Sequence, residues 1–156
     1  MFGFKRDRSF EKLAQQSFAF IARGTLPTVQ DCIYSPESFG NAQVTLVGDR
    51  IRVQVTRDRN QILIDLGPVG YGELFDVDVV LQLVGAASDA QRLVEDGLKG
   101  VDLPATAIER NLAAILERFE KPRWQETKAA LIALKQRRAI ELFGDHLGRQ
   151  DGSSAV

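Results

Sequence analysis

A chain of 156 residues with 20 basic and 21 acidic side chains carries a formal charge of -1, which removes any chain-wide attraction to nucleic acid or anionic lipid. Hydrophobic residues make up 44% and charged residues 26%, the composition of a globular domain, and about 150 residues suffice to bury one core. The single cysteine, Cys32, and the single histidine, His146, exclude an intramolecular disulfide and a Cys/His metal site made by one chain.

The first 24 residues lack a continuous apolar h-region, because Glu11, Lys12, Gln15 and Gln16 interrupt it, and no run is apolar enough to span a bilayer. The expectation is a cytoplasmic protein without membrane contact. Ser9 is the expected N-cap of a helix over 10–23, with Phe10, Leu13, Ala14, Phe18 and Ile21 at helical spacing and Gly24 as its stop. After Pro27, the β-branched and aromatic content of Val29–Tyr34 predicts a first strand. The loop Ser35–Asn41 is rich in turn formers, and Phe39 in its middle is expected to be pinned to the body.

From Ala42 to Leu66 apolar and polar residues alternate through two tight turns, predicting an antiparallel meander. With Gly48-Asp49 as the first turn, Leu46 faces Ile51, Val44 faces Val53 and Ala42 faces Val55. With Asp58-Arg59 as the second, Val55 faces Ile62, Val53 faces Ile64 and Ile51 faces Leu66. This register also sets Arg52 across from Asp65 as a charge pair, with Leu63 opposite Gln54 on the polar face.

Gly67–Gly72 ends the sheet, and Leu74, Val77, Leu81 and Val84 predict a helix over 73–84 stopped by Gly85. Ser88 with Gln91 reads as a capping box for a short helix closing near Gly97. Thr106 with Glu109 reads as another, opening a helix through Phe119. Pro122 breaks that helix, and a last one is expected over 123–143, ending at Gly144. It carries two apolar stripes, one of Ala129, Ile132, Ala133, Ala139, Ile140 and Phe143, the other of Trp124, Leu131, Leu134 and Leu142. The expected fold is a single α+β domain over 1–149 with a flexible tail over 150–156. It has an N-terminal helix, an antiparallel meander of three to four strands, then three to four helices packed on the sheet.

Candidate binding residues gather on the polar face and at the second turn: Arg50, Arg52, Arg57, Asp58, Arg59 and Tyr71. Guanidinium forks suit planar anions, and exposed Arg and Tyr dominate interface energetics, although charged tips also keep sheets from pairing edge to edge. Asp65, Glu73, Asp76 and Asp78 invite comparison with a Mg²⁺ site. Asp76 and Asp78 in one helix would diverge by about 200°, and early acidic residues suit the helix dipole, so no metal is expected. His146 beside Asp145 lacks a glycine-framed serine, Cys32 sits in a strand, and Gly67, Gly70 and Gly72 lack a following Gly-Lys-Ser/Thr. No catalytic motif and no cofactor is therefore expected. Lys121, Arg123, Trp124, Lys128, Lys135, Arg137 and Arg138 are interleaved with Glu120, Glu126 and Glu141, which argues against a nucleic-acid surface.

The segment SFGNAQVTL, continuing through RIRVQVTRDRNQILIDLGP, resembles small uncharacterised bacterial proteins with a Phe-Gly-Asn turn before two hairpins and an Arg-Asp-Arg tip. Proteins of that build resemble the immunity proteins of toxin-immunity pairs. The resemblance, over residues 38–68, implies a non-enzymatic cytosolic module whose partner is another protein. The alternative is a small-molecule-binding or enzymatic domain with a pocket between the sheet and the helix after Tyr71, using Asp65 and Asp76. A homodimer through the helix 123–143 is a further expectation.

Overall fold

The computed structural model describes residues 6–96 and 99–147. Gly97 and the tail over 150–156 lie outside the described residues, as do the side chains of Leu142, Asp145 and His146.

Helix α1 (Arg8–Ser17) is capped by Asp7, whose carboxylate accepts the Phe10 N–H at 3.0 Å. Ser9, the expected cap, lies inside the helix. Both residue types cap well, but the Asp7 carboxylate also takes Arg57 at 2.7 Å, which fixes it in place. The α-helix ends earlier than expected, and the chain tightens into a 3₁₀ turn at Ala19–Ile21 before Gly24 takes φ +71°.

The sheet has the order β1-β2-β3-β4-β5, every neighbour antiparallel: β1 (Thr28–Ser35), β2 (Asn41–Val47), β3 (Ile51–Asp58), β4 (Gln61–Pro68) and β5 (Phe75–Asp76). The α+β class and the order helix, sheet, helices are as expected. One inner face holds Ala42, Val44, Leu46, Ile51, Val53, Val55, Ile64 and Leu66, all buried.

The expected pairing register does not hold. Leu46 pairs with Val53, Val44 with Val55, Val53 with Leu66 and Val55 with Ile64. Both turns sit one residue further along, at Asp49-Arg50 and Arg59-Asn60. Moving a two-residue turn by one shifts its pairings by two, which preserves which side chains share a face.

At the second turn Arg59 (φ +49°) and Asn60 (φ +69°) are both left-handed, as a primed hairpin turn requires, and Asn tolerates that conformation. At the first turn Gly48 is held in the strand end because any Cβ there would lie 2.2 Å from the Ile21 carbonyl oxygen. The Asp49 N–H donates to that same oxygen at 3.0 Å. The shift also undoes the expected charge pair: Arg52 lies opposite Gly67, Asp65 opposite Gln54, and Leu63 opposite Thr56.

Among the described residues five α-helices follow α1: α2 (Val77–Leu83), α3 (Ala87–Asp96), α4 (Asp102–Arg110), α5 (Leu112–Arg118) and α6 (Trp124–Leu147). The expected helix over 73–84 loses its start to β5, whose Phe75 and Asp76 pair with Leu66 and Asp65. Neither capping box forms, since Ser88 and Thr106 already lie within α3 and α4; the Gln91 side chain instead donates to Glu95 at 2.9 Å. The helix expected up to Phe119 is two, parted at Asn111, whose side-chain amide donates to the Ala107 carbonyl at 2.8 Å and to Asp89 at 2.9 Å. Helix α6 follows a 3₁₀ turn containing Pro122 and continues through Gly144 instead of stopping there.

The two stripes of α6 differ in environment. Trp124 and Leu131 are buried, with Trp124 centred among Tyr71, Phe75 and Phe119 at ring distances of 5.6, 6.2 and 5.5 Å. The stripe of Ala129, Ile132, Ala133, Ala139, Ile140 and Phe143 faces solvent.

Candidate functional site

The six residues singled out from the sequence do not share one surface. The two turns lie at opposite ends of β3, whose eight residues span about 27 Å, so Arg50 and Arg59 cannot grip one small ligand. Arg50 pairs with Glu120 at 3.5 Å, and Arg52 donates to the Tyr71 carbonyl. Tyr71 is half-buried with its ring against Trp124.

Arg57 is on the inner face, opposite Ala42 and Ile62. Its guanidinium lies 4.6 Å from the Phe10 ring centre and donates to the Gly40 carbonyl and to Asp7. It ties α1 to the sheet rather than standing free at the tip.

Asp58 and Arg59 do stay exposed. The Asn41 side chain joins them, donating to Asp58 at 3.1 Å and accepting the Arg59 N–H at 3.0 Å. Phe39 is not pinned: it is 81% exposed at φ +59°, with the Arg59 guanidinium 5.7 Å from its ring centre.

Chemistry concentrates elsewhere, in a cavity of about 290 Å³ bordered by β4, β5, α2, α3, α4 and α6. Four consecutive residues of β4, Ile62 to Asp65, line it. Alternate strand residues point to opposite faces, so such a run means the cavity lies along the edge of the strand. That edge is open because β5 pairs only with Asp65 and Leu66. Leu93, Val94 and Pro104 supply apolar wall, and Leu63 reaches the cavity while 41% exposed.

The polar side of the cavity is Asp65, Asp76, Asp78 and Arg138. Asp65 and Asp76 are register partners across β4 and β5, and like charges directly opposite one another disfavour a sheet. Burial raises the Asp65 pKa to about 7, and its proton is further held by a hydrogen bond to the Asp76 carboxylate. Lys135 of α6 acts in the opposite sense on Asp65. Asp78 is buried and forms an ion pair with Arg138; burial raises its pKa despite that guanidinium.

Because Asp76 belongs to a strand and Asp78 to the first turn of α2, the two do not diverge as they would in one helix, and both reach the cavity. Among the described residues no group of three or more Asp, Glu, His or Cys side chains is placed to hold a metal ion. Cys32 is half-buried opposite Val44, and burial pushes its thiol up.

Arg138, Leu93, Val94 and Pro104 were not legible as site residues. Each sits on a helix whose approach to β4 is set by tertiary packing. The run Leu-Phe-Asp-Val-Asp-Val-Val did hold a signal for the carboxylates, in β-branched residues that suit a strand as well as a helix start.

An apolar chamber with one acidic end offers Leu93, Val94 and Pro104 to hydrocarbon and Asp65 and Asp76 to a hydrogen-bond donor. Its volume is at the lower end of the ~300–1,000 Å³ of small-molecule sites. Among the described residues no helix is long and apolar enough to cross a membrane. Comparison with protein-family models, with curated proteins and with solved structures finds no match.

Proposed function

We propose that the protein is a non-enzymatic binding module whose cavity at the β4 edge takes a small ligand with a cationic head, an amine or guanidine, on an apolar stem. The observation that carries this reading is the Asp65–Asp76 pair: two carboxyls on adjacent strands at the wall of an apolar cavity, one retaining a proton near neutral pH. A cation entering between them replaces that proton and removes the repulsion, whereas the guanidinium that lines the cavity, Arg138, is already held by Asp78.

Calorimetric titration with hexylamine, hexylguanidine and hexanol tests it. Expected is binding of the two cations with proton release near pH 7, lost in Asp65→Asn and Asp76→Asn. Equal binding of hexanol, or no binding of either cation, would sink it.

Phe39 favours a second reading, as a protein-docking tip. A phenylalanine at positive φ is backbone strain that the fold sustains while exposing the ring, with Arg59 and Asn41 bracing the loop. An immunity-type role in a bacterial cytosol, with a protein partner, belongs to this reading. Identical partner sets for wild type and a Phe39→Ala/Arg59→Glu variant in native pull-downs would remove it.

A further inference from the structure

We infer that the ligand of this cavity is the amino-terminal end of an extended peptide, added to the sheet along the β4 edge with its free ammonium at Asp65 and Asp76. The inference rests on the cation reading above and names the kind of molecule that carries the cation.

Hydrogen-bond parity shows which part of β4 is free. The Gly48 N–H donates to the Ile51 carbonyl at 2.9 Å, which makes these two a hydrogen-bonded pair of the first hairpin. In an antiparallel ladder such pairs alternate with non-bonded ones, so Val53 and Val55 also bond β2, and Arg52, Gln54 and Thr56 turn their main chain to β4. The Val69 N–H, donating to the Arg50 carbonyl at 3.2 Å, falls in the same parity. On β4, Leu63, Asp65 and Gly67 therefore bond β3, whereas Ile62, Ile64 and Leu66 turn N–H and C=O to the other side. Strand β5 takes Leu66 through Phe75 and ends at Asp76, opposite Asp65. Ile62 lies beyond its reach at the cavity wall, and its main chain meets no second strand among the described residues. The same parity makes Asp65 and Asp76 a non-hydrogen-bonded pair, the kind whose side chains stand closest.

A strand that continues this ladder antiparallel to β4 runs in the direction of β5, away from Asp65 and toward Gln61. The chain of the protein holds the ladder up to Asp76 and coils away at Val77, so the incoming strand has to begin there. What it brings first is its amino terminus. With its first residue across from Leu63, the ammonium reaches the two carboxyls. The second residue lies across from Ile62, exchanges both main-chain bonds with it and shares its face of the sheet, with Leu93, Val94 and Pro104 as apolar wall. The third leaves past Gln61. Charge selects this occupant: Arg138 is held by Asp78, and Lys135 pulls on Asp65 more weakly than Asp76 repels it, so the carboxyl pair still lacks a cation. A lysine inside a longer chain does not fit, because the residues before it run into β5. A bare alkylamine leaves the Ile62 main chain to water.

Calorimetric titration of the full chain near pH 7 with leucyl-valyl-threonyl-serinamide, beside hexylamine, tests this. The peptide should bind at least about tenfold more tightly than hexylamine. Acetylating its amino terminus should cost at least about tenfold, and N-methylating the valine nitrogen, which faces the Ile62 carbonyl, about fivefold. N-methylating the threonine nitrogen, which points away from β4, should change binding less than about twofold. In hydrogen exchange the Ile62 N–H should slow with the peptide and not with hexylamine. Hexylamine binding as tightly as the peptide, equal effects of the two methylations, or an Ile62 N–H that the peptide leaves unprotected overturns this inference and leaves the cation reading standing. So does acetyl-leucyl-lysyl-threonyl-serinamide binding as tightly as the free peptide, which would assign the cation to a side chain. If neither the peptide nor hexylamine binds, both readings fall.

Discussion

Asp65 and Asp76 face each other across two neighbouring strands, and a proton on Asp65 reconciles them against the weaker pull of Lys135. In the unfolded chain Asp65 loses that proton near pH 4, but in the fold it keeps it to about 7. Between these values the native state binds more protons than the unfolded one, so this group makes stability fall as pH rises from about 4 to 7, with the full penalty above 7. Asp65→Asn, which keeps a donor toward Asp76, should therefore stabilise the protein at pH 8. The gain should be on the order of 1 to 2 kcal/mol, allowing for partial solvation of a half-buried group. Urea denaturation at pH 4.5 and pH 8 checks this; an equal effect at both values would contradict it.

Asp7 has the opposite sign. Its hydrogen bond to Arg57, followed by the Phe10 N–H, holds its carboxyl below the usual range, so its contribution is present above about pH 4 and is lost as the pH falls through that lowered value. Asp7→Asn, still a good cap, should flatten the acid limb of the stability curve. Its cost at neutral pH should be only about 1 kcal/mol. Together with Asp65 this places the optimum for these two groups near about pH 4 to 5.

Arg57→Ala should cost roughly 2 kcal/mol or more, because it strands the Gly40 carbonyl and removes the cation from the Phe10 face. Arg57→Lys should recover less than half, since one ammonium cannot reach the carbonyl and Asp7 in the same fork. Chemical denaturation of both variants reads this directly.

Gly48→Ala should be among the most damaging single changes, on the order of 3 kcal/mol, since the added carbon meets main-chain atoms of Ile21 that cannot swing aside. Phe39→Gly should do the reverse and raise stability by up to about 1 kcal/mol by relieving a left-handed phenylalanine. Thermal melts of the two variants side by side check both directions.

How much of this was legible can be argued residue by residue. The buried face of the meander was, because a turn misplaced by one leaves Val44, Leu46, Val53 and Val55 on the same side. The pairings were not, although Asn60 held the decisive clue in its tolerance of positive φ. Asp7 and Ser9 cap equally well on paper, and only the distant Arg57 separates them. A pocket between the sheet and the helix after Tyr71, with Asp65 and Asp76, was legible, whereas the strand that sets Asp76 opposite Asp65 stayed hidden because two residues of strand before a helix carry no periodicity of their own. The two stripes of α6 were readable, since periodicity reports which positions are apolar, whereas which stripe enters the core depends on the neighbours of α2 and Trp124.

The shortness of β5 has a consequence for the cavity. Each extra residue pair would lay main chain over Ile64, then Leu63, then Ile62, sealing the edge and filling the space in front of it. The room left for a ligand is thus counted in residues, by how soon after Asp76 the chain abandons extended backbone and coils at Val77. An insertion lengthening this strand would close the chamber without altering any side chain that lines it.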